Sequence, residues 1–217
     1  MRPDQASLFD SDVRAAPQDL ASGLVLLPGF ADASALMQAI SPVLASSPPR
    51  HLTVPGGGRM AVAMSNCGAL GWTSSAQGYR YAAIDPLTGR AWPAMPDGLK
   101  QLAQRAAHAA CFEGFAPDVC LINRYQVGAG LGVHHDSDEA DMSHPIVSVS
   151  LGATAQFLWG GLRRRDPLLR MPLHSGDVLV WGGPARLTYH GVSPLRSAQT
   201  DGQTETLRFN LTFRRAV

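Results

Sequence analysis

Three stretches decide the fold: PIVSVSLGATAQFLWGG (Pro145–Gly161), SGDVLVWGGP (Ser175–Pro184) and LRFNLTFR (Leu207–Arg214). Each holds a short run rich in β-branched and aromatic residues, punctuated by Gly or Pro. They predict strands at Ile146–Leu151, Ala155–Trp159, Asp177–Trp181 and Thr206–Arg214. Working outward, runs at Leu24–Leu27, Met60–Met64 and Cys120–Tyr125 predict further strands. Helices are expected at two places. Asp32 can cap Ala33–Leu44, where Leu36, Ile40 and Leu44 share a face. Asp97 can cap Leu99–Cys111, with a stop near Gly114. Many short strands without regular β-α alternation point to a mainly-β sandwich or jelly roll, with the two helices outside one sheet. The segment from Cys67 to Met95, rich in Gly, Tyr, Ser and Pro, reads as long functional loops.

Composition narrows the function classes. With 18 Lys+Arg against 17 Asp+Glu the formal charge is +1, which argues against a polybasic nucleic-acid clamp but not against a local basic groove. Hydrophobic residues make up 45% of the 217 residues, enough for a real core. Lys100 is the only lysine, so the positive charge is almost all guanidinium, the group suited to carboxylates and phosphates. Cys67, Cys111 and Cys120 are odd in number and form no C-x-x-C, which speaks for a reducing compartment. No apolar run approaches membrane-spanning length, and Met1–Pro17 reads as a polar, flexible lead-in. A phosphate-binding P-loop, H-E-x-x-H and G-x-S-x-G are absent. Gly128-Ala129-Gly130 lacks the third glycine of a dinucleotide loop, with Val133 standing there.

The sharpest local feature is Val133-His134-His135-Asp136. Residues i and i+2 of an extended strand share a face roughly 6–7 Å apart, so His134 and Asp136 can converge on one cation. His190, near the end of a later expected strand, is the candidate third ligand. Two imidazoles and a carboxylate leave open positions on an octahedral metal, the arrangement that suits non-haem Fe(II). H-x-D alone equally suits a surface-loop histidine beside the acidic run Asp136, Asp138, Glu139 and Asp141. His135 is expected to point away.

The C-terminal stretch adds a second feature. Phe209, Leu211 and Phe213 alternate with Arg208, Asn210, Thr212 and Arg214. On an edge strand the polar face would meet water. In a closed two-sheet fold it points inward, and buried arginines require anions. Asn123 and Tyr125 form another i, i+2 polar pair. Bending of the strand and side-chain reach would bring both arginines toward a common dicarboxylate.

These features occur together with a series of long, ordered motifs. They include Thr53-Val54-Pro55-Gly56-Gly57, Met60–Gly68, Gly71-Trp72-Thr73, Trp92–Pro96, Cys120–Tyr125, His134–Glu139, Pro145–Gly152, Gly176–Gly183 and Asn210–Arg214. Over about Gly23 to Ala216 the chain resembles the AlkB family of iron- and 2-oxoglutarate-dependent nucleic-acid dealkylases. The resemblance implies a double-stranded β-helix (jelly roll) with supporting N-terminal helices and a substrate-covering loop region. It implies one dioxygenase domain over 18–217, with nucleotide-recognition loops at about 45–95 and an iron/2-oxoglutarate core at 119–217.

On the same resemblance His134, Asp136 and His190 hold Fe(II). Arg208, with Tyr125, takes the distal carboxylate of 2-oxoglutarate, while Asn123, Asn210 and Arg214 serve its keto-acid end. Trp72 stacks on a flipped base, with the His134 ring on the other side, and Asp138 contacts the exocyclic amino group. Tyr79, Arg80 and Tyr81 line the substrate channel, Arg164 approaches the nucleic acid and Met64 touches substrate. The implied activity is oxidative demethylation of 1-methyladenine and 3-methylcytosine in DNA, single- or double-stranded, and in RNA, with O2 as cosubstrate. A cytoplasmic monomer is expected. Gly58-Arg59 and Ser137 depart from the family pattern on the nucleic-acid side. Two other readings stay open: a related hydroxylase acting on tRNA, a protein or a small molecule, and a non-catalytic β-sandwich indifferent to metal.

Overall fold

The alternation at the C-terminal end of the chain governs the layering. Phe209, Leu211 and Phe213 join the core cluster that contains the helical residues Leu36, Ile40, Leu99 and Leu102. Asn210, Thr212 and Arg214 face the other way, into a cavity between two sheets. The computed structural model describes residues 16–200 and 203–217, so residues 1–15 of the expected lead-in lie outside the described residues.

The early strands are β1 (Gln18–Ala21), β2 (Leu24–Leu27), β3 (Arg50–Thr53), β4 (Arg59–Gly68), β5 (Gly71–Ser75) and β6 (Gly78–Ala82). Then follow β7 (Val119–Gln126), β8 (Leu131–His134), β9 (Ile146–Gly152), β10 (Ala155–Trp159), β11 (Leu169–Leu173) and β12 (Val178–Trp181). The last are β13 (His190–Val192), β14 (Ala198–Thr200), β15 (Gln203–Glu205) and β16 (Leu207–Arg214). Helix α1 (Ala33–Ser46) lies between β2 and β3, and α2 (Asp97–Ala109) between β6 and β7.

An eight-stranded sheet runs β1-β2-β12-β9-β16-β7-β4-β3, and a four-stranded sheet runs β11-β10-β13-β8. Together they make the expected jelly roll. The large sheet buries its outer face under α1 and α2 through Val147, Val149, Leu151, Val178 and Val180. Its inner face meets the small sheet at one end through Leu24, Ile146, Phe157, Trp159, Leu179 and Trp181. At the other end Val62, Leu121, Tyr125 and Ala155 close the interior. The polar residues of β16 lie between these apolar ends. Register brings them beside matching neighbours: Asn210 pairs with Asn123 on β7 and with Ser150 on β9.

The expected strands are present within a few residues, and Asp32 caps α1, its Oδ1 accepting from Ala35 N at 3.0 Å. Two expectations about α2 need correction. Asp97 is the first helical residue and makes no cap; Pro96 occupies the cap position without a side-chain bond. The helix also stops before Cys111, which takes a left-handed φ of 62°. Cys111 N donates to His108 O at 2.9 Å and Phe112 N to Ala107 O at 2.8 Å, the paired closure that usually uses glycine.

The stretch read as loops after Cys67 contains the hairpin β5–β6. Its start is fixed from outside. Asn66 imitates a strand, donating Nδ2 to Trp72 O and accepting from Trp72 N, both at 3.0 Å. Gly71 lies flat on Trp92; a Cβ there would sit 2.3 Å from the indole. Trp92 is itself held by Nε1 donation to Ala82 O at 2.8 Å and by the Arg50 guanidinium 5.5 Å from its ring centroid. Arg50 in turn pairs with buried Asp85, Nη1 to Oδ2 at 2.8 Å. Gly71→Ala should therefore lower the unfolding free energy measured in urea by an overpacking cost of about 1–3 kcal/mol. Gly98→Ala, where a Cβ meets nothing, should hold or raise it by up to about 1 kcal/mol.

Candidate active site

Strands β8 and β13 pair with His190 opposite His134. Both imidazoles are turned the same way by backbone carbonyls: His134 Nδ1 bonds Gly132 O at 2.8 Å, and His190 Nδ1 bonds Thr188 O at 2.9 Å. That leaves both Nε2 atoms free to face Asp136, just past the end of β8. His134 Nε2 lies 3.7 Å from Asp136 Oδ1, and His190 Nε2 lies 3.6 Å from Asp136 Oδ2. The three ligand atoms lie within 4.8 Å of one another and could hold a metal ion. The donor set suits Fe(II). His135 points away, edge-on to Tyr189 at 4.8 Å between centroids.

Electrostatics keep the donors ready. Burial would raise the Asp136 carboxyl, but Arg214 and the two imidazoles hold it well below the usual carboxylate range. Burial lowers His134 against the pull of Asp136, favouring the neutral ring that a metal needs. Arg214 Nη2 donates to Asp136 Oδ2 at 2.8 Å, and burial's lowering effect on Arg214 is outweighed by Asp136 and its neighbours.

The two inner-face arginines differ in their partners. Arg214 is already paired with Asp136 and Glu139. Arg208 is 1% exposed, donates Nη2 to Ser150 Oγ at 2.8 Å, and leaves Nε without a partner. No carboxylate pairs with it among the described residues. Burial lowers its pKa, marking a cation short of compensation. The two arginines thus enter the expected convergence on one dicarboxylate differently: Arg214 lines the cavity already paired with Asp136 and Glu139, whereas Arg208 lies behind the lining without a carboxylate. Tyr125 lies beside it, 6.0 Å from guanidinium carbon to ring centroid, with its phenol pushed up to about 12 by burial. Asn210 is held by Ser148 Oγ at 2.7 Å and Val149 O at 3.1 Å, while Asn123 Oδ1 has no partner. A divalent cation at one end and, behind, a guanidinium with no carboxylate partner among the described residues is a setting that suits a dicarboxylate.

The cavity holding these groups measures about 530 Å³. Met64, Trp72, Tyr79, Asp138 and Arg164 line it, together with the metal-facing trio. Trp72 stacks on Tyr79, centroids 5.2 Å apart at 18°, and donates Nε1 to Asp138 Oδ2 at 2.8 Å. Of the expected site residues, Arg80, Tyr81 and Arg208 are not in that lining. Arg80 is exposed on β6. Tyr81 turns to Glu139 instead, Oη donating to Oε1 at 2.6 Å, and burial raises its phenol well above the ordinary range.

Glu139 and Arg186 were not singled out by sequence. Glu139 looked like one more member of a solvated acidic run, yet it is buried and accepts from Arg186 Nη2 at 2.8 Å. Arg186 also donates Nη1 to Asp136 O at 2.8 Å and Nε to His144 O at 3.1 Å. The residues lie 47 positions apart, so no local signal joins them.

The profile of the 2OG-Fe(II) oxygenase superfamily matches residues 23–214. The chain is 53% identical over 201 residues to Alpha-ketoglutarate-dependent dioxygenase AlkB of Escherichia coli (strain K12), covering 92% of this chain and 93% of that one. It is 40% identical over 119 residues to DNA N(6)-methyladenine demethylase ALKBH1A of Arabidopsis thaliana, covering 54% of this chain and 34% of that one. The solved structure of OsALKBH1 superposes with a TM-score of 0.77 at 29% identity, covering 92% of this chain and 99% of that one.

The depressed Asp136 pKa fixes the sign of a pH effect. Its ion contacts stabilise the metal-free fold fully above the unfolded carboxyl value of about 4, and that contribution is lost as pH falls through the lower folded value. The stability advantage of wild type over Asp136→Asn, measured by urea unfolding of metal-free protein, should therefore stay level above about pH 5 and shrink progressively as the pH falls below about 4.

Proposed function

The chain belongs to the 2OG-Fe(II) oxygenase superfamily, among the AlkB-type alpha-ketoglutarate-dependent dioxygenases, and from that premise we propose that it demethylates N-alkylated bases in nucleic acid. The substrates proposed are 1-methyladenine and 3-methylcytosine, in DNA first and also in RNA. The products are the native base, formaldehyde, succinate and CO2. The enzyme uses Fe(II), with 2-oxoglutarate and O2 as cosubstrates. Bound together, these supply the oxidant that hydroxylates the N-methyl group; the chain's residues bind, orient and exclude water.

In this reading His134, Asp136 and His190 hold the iron, supported by their mutual approach within 4.8 Å. Arg208 takes the far carboxylate of 2-oxoglutarate, supported by its burial without a carboxylate partner. Tyr125 flanks that end, its phenol still protonated at neutral pH and able to donate. Asn123, Asn210 and Arg214 face the keto-acid end, with Arg214 acting mainly by fixing Asp136.

At the mouth, methylation at N1 of adenine or N3 of cytosine blocks pairing and makes the ring cationic, so flipping it costs less. Trp72 offers that ring a π face, and Asp138 offers its amino group a carboxylate. Tyr79 already covers one face of Trp72, so the base stacks on the other and lies against His134. Arg164 and Arg80 meet the phosphates beyond, and Met64 packs on the base edge. Asn66 matters indirectly, because its two bonds fix the backbone that carries Trp72. We place the enzyme in the cytoplasm as a monomer; no helix among the described residues is long and apolar enough to cross a membrane.

The observation that carries the proposal is one cavity joining the His134–Asp136–His190 trio to the Trp72–Asp138 pair. The test is formaldehyde release from methylated oligonucleotides with Fe(II) and 2-oxoglutarate. Arg208→Ala should raise the KM for 2-oxoglutarate by about 10-fold or more, since a hydrogen bond to a charged group is worth about 1.5–3 kcal/mol. Trp72→Ala should raise the oligonucleotide KM instead, by about 10-fold, in line with roughly 1–3 kcal/mol per stacked base. If 2-oxoglutarate is consumed but no methylated oligonucleotide is repaired, the substrate assignment is wrong.

A further inference from the structure

Glu139 takes no part in the chemistry proposed above, yet its side chain is 1% exposed and has three charged or polar partners. They come from three separate parts of the chain. Tyr81 Oη donates from the β5–β6 hairpin at 2.6 Å. Arg186 Nη2 donates at 2.8 Å from the segment leading into β13, the strand that carries His190. Arg214 Nε, on β16, lies 3.1 Å from Oε1, a contact that is electrostatic because the N–H is not aligned for a hydrogen bond. Both arginines also grip Asp136. Arg214 holds Oδ2 of the carboxylate, and Arg186 holds the backbone carbonyl, each at 2.8 Å.

We propose that Glu139 is a positioning residue for the metal centre. It anchors Arg186 and Arg214 so that Asp136 keeps an oxygen for the cation, and it ties the substrate-side hairpin to that anchor through Tyr81. The inference rests on the reading of His134, Asp136 and His190 as metal ligands.

The physics is competition for one carboxylate. Two guanidiniums and two carboxylates balance in a largely buried cluster at the wall of the cavity. Without Glu139, the charges of Arg186 and Arg214 fall on Asp136 alone. A bidentate pairing of Asp136 with Arg214 then becomes the favoured state, and it occupies the oxygen a metal would take. Arg186, freed from Glu139, no longer fixes the Asp136 backbone. Both changes weaken metal binding and alter its geometry. Tyr81 is different: removing its hydroxyl leaves both arginines anchored.

The test is Co(II) titration of the metal-free protein, read by visible ligand-field absorption, with fold checked by circular dichroism. Wild type should give a spectrum that His190→Ala loses. Glu139→Gln should bind Co(II) about 10–100-fold more weakly, the range for partners that orient a metal ligand, with a changed spectrum. Tyr81→Phe should stay within about twofold of wild type with the same spectrum, because no orienting partner of Asp136 is removed. The double variant Glu139→Gln, Arg186→Gln removes one charge of each sign and so guards against loss of fold. It should remain weak, because Arg214 still lacks Glu139. If either folded variant binds Co(II) with wild-type affinity and spectrum, Glu139 has no positioning role. If His190→Ala binds like wild type, or wild type binds no Co(II), the ligand assignment fails first and this inference with it.

Discussion

The interior of this protein is organised by two guanidiniums buried on the inner face of β16. Taking an arginine out of water costs several kcal/mol unless an anion compensates. Arg214 finds its anions within the fold, in Asp136 and Glu139. Arg208, six residues earlier on the same face, finds Ser150 and the face of the Tyr125 ring but no carboxylate among the described residues. The strand thus carries one satisfied cation and one held in reserve. The satisfied one shapes the metal-facing carboxylate. The reserved one makes the interior receptive to an acid from outside.

Everything around β16 serves to make that polar stripe bearable. Its other face is sealed by Phe209, Leu211 and Phe213 under the two helices. The sandwich is closed at one end by Phe157, Trp159 and Trp181. That aromatic group also packs against His190, with Trp181 5.0 Å and Phe157 5.8 Å away between ring centroids. The His190 ring is therefore fixed from three directions: by strand pairing, by the Thr188 carbonyl and by aromatic packing. His134 has fewer constraints and more exposure, and it faces the same cavity as Trp72. The hairpin that brings Trp72 to that cavity is short and polar, and it depends on Asn66 and Trp92 for its placement.

What was legible in the sequence follows from how local each determinant is. Strands at Ile146–Gly152, Ala155–Trp159 and Leu207–Arg214 announce themselves by apolar runs between Gly-rich turns. The inward turn of Arg208 and Arg214 was readable as a conditional: if the sheet closes, the polar face is buried. His134 and Asp136 share a face by their spacing alone. The hairpin β5–β6 was hidden because Gly71-Trp72-Thr73-Ser74-Ser75 has the composition of a loop. It becomes a strand because a side chain six residues earlier, Asn66, bonds both backbone groups of Trp72. Asp97 had the right chemistry for a cap, but Pro96 before it took the cap position and left Asp97 in the first turn. Glu139 could not be separated from its acidic neighbours, since its partners Tyr81, Arg186 and Arg214 are all distant in sequence.

The same charge accounting explains why metal and cosubstrate belong in one cavity. The trio offers a single negative charge, on Asp136, and that charge is already shared with Arg214. A divalent cation placed there leaves a net positive site in a space walled by aromatic rings and strands, where charge is poorly screened. Arg208, with no carboxylate of its own, adds another unbalanced cation to the same interior. A dicarboxylate carries two negative charges at opposite ends, and so meets both demands with one molecule. Each end makes the other end's binding cheaper, because neither cation is then left exposed to a low-dielectric interior. A monocarboxylate would settle only one of the two. The β16 alternation turns Arg208 inward, toward the sheet whose strands β8 and β13 carry His134 and His190, so one interior holds both demands.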